Sequence, residues 1–253
     1  MKIFYFTSTG NSLYVSKKIK ENFEECDLVK ISRELDEVIV EDEKIGIVYP
    51  LHSFGLPIIV EEFIKKIKFN SNPYIFVVQV TGGGKSNNGF YKINEILKKK
   101  GVSISNYEEI KYISNYIRAG RNPSKERAIK AIEDSEEKLN NFIENITLDS
   151  IKEFKKRKNH ITFLIHDLWR DKYKKRDKNF NVNDDCINCG LCIDACPSKN
   201  IEIVNGKVKF KGHCVDCMGC INICPKNAIN IGNSTIRKDR YLNPFIKRDE
   251  LIK

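Results

Sequence analysis

Apolar residues come in two rhythms along the first 146 positions. Lys2–Thr7, Cys26–Ile31, Lys44–Tyr49 and Pro73–Val80 are short apolar runs rich in β-branched and aromatic residues, and each predicts a buried strand. A fifth is expected around Val102–Tyr116. Between them apolar residues recur at three- and four-residue steps: Val15, Ile19 and Phe23; Val60, Phe63, Ile64 and Ile67; then Phe90–Lys100. Pro123 opens a long predicted helix with Ala128, Ala131, Ile132, Leu139, Phe142 and Ile143 apolar. Strand alternating with helix predicts an α/β domain, a doubly wound parallel sheet with helices on both faces.

The rhythm then changes. His160–Trp169 is a ten-residue apolar segment inside a basic surround, too short to span a bilayer. It is expected as an interdomain helix that buries Phe163, Leu164, Leu168 and Trp169, the other reading being a helix lying in a membrane interface. His160 and His166 have no acidic or cysteine partners at ligand spacing. Further on, Ile201–Val204 and Lys207–Phe210 flank Asn205-Gly206, the signal of a hairpin with a type I′ turn. Another short pair is expected to begin at Ile229. The tail 233–253 has too few apolar residues for a domain and is expected to strap across the C-terminal unit or the domain junction.

Cysteine changes the picture most. Cys186, Cys189, Cys192 and Cys196 precede Pro197, and Cys214, Cys217, Cys220 and Cys224 precede Pro225 with the same spacing, 28 residues later. Zinc knuckles take two pairs about 12–20 residues apart and four ligands per ion, which fits poorly with four cysteines inside each run. Disulfides fit poorly too, because the N-terminus turns polar at Thr7, too early for a signal-peptide core. The C-x2-C-x2-C-x3-C-P run is that of bacterial two-cluster ferredoxins, and residues 182–232 closely resemble a 2[4Fe–4S] ferredoxin. In such proteins the fourth cysteine of each run ligates the other cluster. One cluster would then take Cys186, Cys189, Cys192 and Cys224, and the other Cys214, Cys217, Cys220 and Cys196. The ninth cysteine, Cys26, reads as an inert buried thiol.

The chain has 253 residues and a net charge of +10. Eleven Lys and Arg face four Asp and Glu within 152–178. No nucleic-acid motif accompanies this patch, which reads as a solvated face or a docking surface for an acidic redox partner protein. No apolar run reaches the length of a transmembrane helix, and the reading is a cytoplasmic protein whose oligomeric state the sequence leaves open.

Three loops carry candidate ligand chemistry. Thr7-Ser8-Thr9-Gly10-Asn11-Ser12 joins the first strand to the first helix, and backbone N–H groups and hydroxyls there make an anion site. The loop after the third strand contains Leu51-His52-Ser53-Phe54-Gly55. After the fourth strand comes Thr81-Gly82-Gly83-Gly84-Lys85-Ser86. A P-loop needs glycine where Gln79 stands, and a dinucleotide fingerprint needs one where Asn87 stands, so neither motif is present. All three loops follow strands, at the end of the sheet where doubly wound folds bind ligands.

The first loop resembles the FMN phosphate loop of flavodoxins, and the other two resemble their ring-contacting loops. Together with the cysteine runs, the chain resembles the flavodoxin–ferredoxin fusion proteins of clostridia and other anaerobes over nearly its whole length. The resemblance implies a five-stranded sheet of order 2-1-3-4-5 with FMN at its switch point, and His52 and Phe54 near the flavin ring. The expected division is a flavodoxin-like domain over 1–146, a basic connector over 147–181, the ferredoxin over 182–232 and the strap over 233–253. The expected function is electron transfer between two [4Fe–4S] clusters and FMN. The alternatives are a flavin-dependent reductase of a small organic acceptor, or a ferredoxin whose flavodoxin-like domain lacks FMN and only docks partners.

Overall fold

The computed structural model describes residues 1–252 apart from 85, 156, 174 and 175, and leaves the side chains of 171 and 173 undescribed. Lys85 of the glycine loop and Lys156, Lys174 and Lys175 of the basic run therefore lie outside the described residues. The N-terminal elements are β1 (Lys2–Tyr5), α1 (Asn11–Lys20), β2 (Asp27–Lys30), β3 (Ile39–Val40), β4 (Lys44–Pro50), α2 (Ile58–Lys66), β5 (Lys68–Phe69), β6 (Tyr74–Thr81), α3 (Asn88–Lys98), β7 (Asn106–Lys111), α4 (Lys125–Glu133) and α5 (Glu136–Thr147). β2-β1-β4-β6-β7 form one parallel sheet in that spatial order. Counted within the sheet this is 2-1-3-4-5, the expected flavodoxin-like order, with its switch point between β1 and β4. The short β3 and β5 pair with each other outside it.

Both faces of the sheet are buried, which is why its strands read as nearly continuous apolar runs. Phe4, Ile45, Ile47, Tyr49 and Val77 pack toward α2 and α3, and Ile3, Tyr5, Val48, Phe76 and Val78 pack toward α1 and α5, the period-two alternation of a strand. Two expectations change. The fifth strand is shorter than Val102–Tyr116, and residues 112–119 leave the sheet as a loop. The long helix after Pro123 is two helices, broken at Asp134 and Ser135, where the Ser135 hydroxyl donates to the Lys111 carbonyl.

The connector forms α6 (His160–Tyr173). Trp169 is buried as expected, but Leu164 and Leu168 are 61% and 52% exposed, and His166 occupies the inner face instead. The reason is polar. His166 Nδ1 lies 3.1 and 3.2 Å from the carbonyl oxygens of His52 and Ser53, and Arg170 pairs with the buried carboxylate of Glu61. Burial alone would raise the Glu61 pKa, but Lys65, Arg170 and Lys92 hold it below its ordinary value. These bonds fix the helix rotation against the pull of its leucines.

The C-terminal unit contains β8 (Phe180–Val182), α7 (Leu191–Asp194), β9 (Ile201–Val204), β10 (Lys207–Phe210), α8 (Gly219–Ile223) and β11 (Ile229–Ile231). β9 and β10 make the expected hairpin; Asn205 and Gly206 both have positive φ, 49° and 71°, as a type I′ turn requires. β11 pairs antiparallel with β8, upstream of the cysteines. The unit does not stand apart from the sheet: Val215 lies in the core on the α2/α3 side, and Ile223, Ile246 and Leu251 lie in the core on the α1/α5 side. Among the described residues no helix is long and apolar enough to cross a membrane.

Candidate functional site

At the switch point, β1 ends in the Thr7–Ser12 loop. Three of its side chains already have hydrogen-bond partners. Thr7 Oγ1 accepts from Gly10 N at 3.0 Å, Asn115 Nδ2 donates to Thr9 Oγ1 at 2.6 Å, and Asn11 Oδ1 accepts from Tyr241 Oη at 2.7 Å and Asn243 Nδ2 at 3.0 Å. Gly10 caps α1 with φ 101°, a conformation that suits glycine, and a Cβ there would meet Asn243 at 2.9 Å. Two hydroxyls remain. Ser12 Oγ is fully buried with no hydrogen-bond partner, and Ser8 Oγ is buried with no oxygen or nitrogen partner and has the Cys217 sulfur as neighbour. Buried hydroxyls are ordinarily satisfied. Here both serines line one cavity, together with Asn11 at the start of α1, and the N–H groups that a helix start leaves free are what an anionic group would use.

That cavity has two adjoining chambers. The first is lined by the Thr7–Ser12 loop except Gly10, by Leu51, His52, Thr81 and Gly82, by 113–116, and by Cys217. The second, about 360 Å³, is lined by Leu51, His52, Ser53 and Phe54, by Thr81, Gly82 and Gly84, by Ser114, Tyr116 and Ala119, and by Trp169 and Asp216. Its volume falls in the range of small-ligand sites. The structure thus brings the three sequence-predicted loops together. Gly10, Gly55 and Gly83 line neither chamber: Gly10 is the helix cap, Gly55 lies under the His166 ring, and Gly83 turns away with φ 115°. Ser53 and Phe54 both have positive φ, 44° and 65°, inside a tight turn closed by hydrogen bonds between His52 and Gly55. Such backbone on a non-glycine residue marks functional loops. His52 lies edge-on to Phe6, and desolvation lowers its pKa to about 4, so the ring is neutral at pH 7.

Cys186, Cys189, Cys192 and Cys224 border one small cavity. The Cys192 thiol is raised to about 11 by burial first and then by Cys224, Cys189 and Cys186. Burial raises the Cys220 thiol still further, followed by the nearby sulfurs of Cys217, Cys214, Cys196 and Cys192. Cys217 is raised to about 11 by burial and by Cys196. Crowded sulfurs, three of them raised by burial and by their neighbours, suit a polycationic core that ionises them. Among the described residues no three side chains converge tightly enough for a single ion; a cube, with an iron at each ligand, holds its thiolates farther apart. Backbone N–H groups point at sulfur in equivalent places: Asn200 N to Cys196 Sγ and Ala228 N to Cys224 Sγ, both 3.3 Å.

Groups that sequence reading missed close the junction. Asp216, two residues after Cys214, is buried and accepts from Arg118 Nε at 2.9 Å, Arg176 NH1 at 2.7 Å and Tyr116 Oη. The Tyr116 hydroxyl is raised to about 12 by burial and by Asp216. The carboxylate ties the loop after β7, the connector and the second cysteine run. Residues of the C-terminal tail reach the same loop: Tyr241 and Asn243 lock Asn11, and Asn243 N donates to the Thr9 carbonyl at 2.7 Å. Asn222 accepts from Tyr241 N.

Residues 178–225 match the family described as 4Fe-4S dicluster domain. With the sheet order above, this decides the architecture. The chain joins a domain of flavodoxin-like strand order to a segment that matches the 4Fe-4S dicluster family. No curated protein matches it. Similar solved structures include a Streptococcus pneumoniae TIGR4 flavodoxin, 14% identical over 58% of this chain and 97% of its own, with a TM-score of 0.39. A Lactobacillus acidophilus flavoprotein in complex with FMN is 11% identical over 43% and 91%, TM-score 0.30. A flavo di-iron protein from Thermotoga maritima is 21% identical over 55% of this chain and 35% of its own, TM-score 0.32. The fold assignment rests on the strand order and pairing of the flavodoxin-like domain, and the iron–sulfur assignment on the dicluster match.

Proposed function

We propose that this protein carries electrons between an outside partner and a bound FMN by way of two [4Fe–4S] clusters held within the one chain. The observation that carries the reading is Cys217, which lines the same chamber as the Thr7–Ser12 loop. When bound, the clusters supply single-electron transfer and the flavin accepts or gives one or two electrons. Ser12 and the α1 N-terminus would hold the FMN phosphate, with the Ser8 hydroxyl between that site and the Cys217 sulfur. Leu51–Phe54, Gly82, Gly84 and Tyr116 would surround the ring. Cys186, Cys189, Cys192 and Cys224 would hold the outer cluster, and Cys214, Cys217, Cys220 and Cys196 the inner one.

The remaining residues position these holders. Asp216 pins the inner run against the Tyr116 loop, and Asn243 and Tyr241 pin the anion loop against the dicluster domain. Carriers held in one chain meet at high effective concentration. The outer group reaches solvent at the exposed Cys189 and at Ile187, 58% exposed, where a partner can approach. The basic surface of 152–178 suits an acidic partner. The test is cofactor content of anaerobically purified protein. The expected result is about eight irons and one FMN per chain. Eight irons without FMN, even after FMN is added, would refute the relay.

A further inference from the structure

The second chamber has a wall that the flavodoxin-like domain does not supply. Trp169 belongs to α6, outside the sheet and its three loops, yet it lines the same chamber as Phe54 and Gly84. We infer that Trp169 forms part of the flavin ring site, so that the connector helix helps to bind the cofactor. The inference rests on the FMN reading above.

Three observations carry it. First, the orientation of α6 is not what apolar burial alone would choose. Ile161, Leu164 and Leu168 face solvent, 74%, 61% and 52% exposed, while the helix turns Trp169 and His166 inward. A helix that only covered a core would bury the leucines. Second, the indole is held in one pose. It stacks on the His166 ring at 5.5 Å and 24°, meets His52 edge-on at 6.2 Å and 77°, and has the Arg176 guanidinium 5.9 Å from its ring. His166 is in turn fixed by the His52 and Ser53 carbonyls. Residue 55 is glycine where any Cβ would come within 2.5 Å of the His166 ring. Third, the start of α6 is anchored beside the glycine loop: Asn88 Nδ2 donates to Thr162 Oγ1 at 2.9 Å, and Asn88 Oδ1 accepts from Asn159 N at 3.2 Å. A preset indole bordering a cavity of this size is a platform for a flat heteroaromatic group, since aromatic faces stack with offset and lose little entropy when already held.

Trp169 is the only tryptophan in the chain, so its fluorescence reports on this place alone. The experiment uses the full-length protein with its clusters intact, stripped of FMN and titrated with FMN. Tryptophan and flavin emission are read together. The expected result is a stoichiometric fall in tryptophan emission and quenched flavin emission. Trp169→Leu should bind FMN about tenfold more weakly with brighter bound flavin, while Trp169→Phe, which keeps an aromatic face and packing, should lose less. FMN bound by the wild type with tryptophan emission unchanged, and equal affinity in Trp169→Leu, would overturn the role of Trp169 and leave the FMN reading intact. Where the leucine variant does not fold, the FMN affinity and bound-flavin emission of Trp169→Phe, set beside the wild-type titration, decide the point. Absence of any FMN binding by the wild type would overturn the proposed function, and this inference with it.

Discussion

The two cysteine runs share their spacing and nearly their backbone, but their surroundings differ. Equivalent positions 28 residues apart adopt the same left-handed conformation: Asn188 and Asp216 at φ 51° and 55°, Gly190 and Met218 at 79° and 63°, Lys199 and Asn227 at 50° and 52°. The residues between the cysteines diverge. Ile187 is exposed where Val215 is buried in the sheet's core, and Asn188 is exposed where Asp216 is buried among two arginines and a tyrosine. Cysteine spacing carries the ligation chemistry; the residues between decide what each cluster faces. In the proposed relay the duplicated module thereby has an outer end for a partner and an inner end for the flavin site.

The largest expected effect breaks the two ends apart. Cys189→Ser and Cys217→Ser should each lose about four irons. Only Cys217→Ser should keep an outer cluster that a partner can reduce while flavin reduction through the chain is lost. Iron analysis and the absorbance of clusters and flavin at equal reductant check this, and flavin reduction that survives in Cys217→Ser would contradict it. Next, Asp216→Asn leaves two partly buried guanidinium groups short of their buried charge partner and should cost up to about 3 kcal/mol in denaturant unfolding. Asn188→Asp at the equivalent exposed position should stay within about 0.5 kcal/mol.

The inner end should also be the acid-sensitive one. The His52 pKa is lowered to about 4, chiefly by burial, and that of His166 is lowered as well. Below the unfolded value of about 6.5 the unfolded chain takes up protons that the folded His52 refuses, so stability falls as pH drops from about 6.5 to about 4, by at most on the order of 3 kcal/mol. His52→Gln should flatten that slope in unfolding measured across this range. Smallest is Ser8→Ala. Removing a hydroxyl beside the Cys217 sulfur should lower the potential of the inner cluster and leave the outer one unchanged. A redox titration that moved both or neither would reject the contact.

Much of this was legible beforehand because it is local. Cysteine spacing, the Asn205-Gly206 turn and the apolar strands of a sheet buried on both faces are short-range signals. The sites that escaped notice are long-range. Ser114, Asn115 and Tyr116 were read as the end of a strand, since their apolar neighbours continue its pattern; they leave the sheet at Tyr112 and turn to the cavity. Asp216 resembled any polar residue between cysteines until Arg118 and Arg176 met it from 98 and 40 residues away. α6 misled for a physical reason: its leucines predict the buried face, and hydrogen bonds from His166 and Arg170 overrule them.

The central claim is that the inner cluster and the flavin meet within one chain. Rapid mixing of the anaerobic, FMN-loaded protein with substoichiometric reductant, following cluster bleaching and then flavin bleaching, tests it most directly. The account predicts a flavin step whose first-order rate does not change with protein concentration and which disappears in Cys217→Ser. A flavin rate that rises in proportion to protein concentration, or that survives in Cys217→Ser, would contradict it.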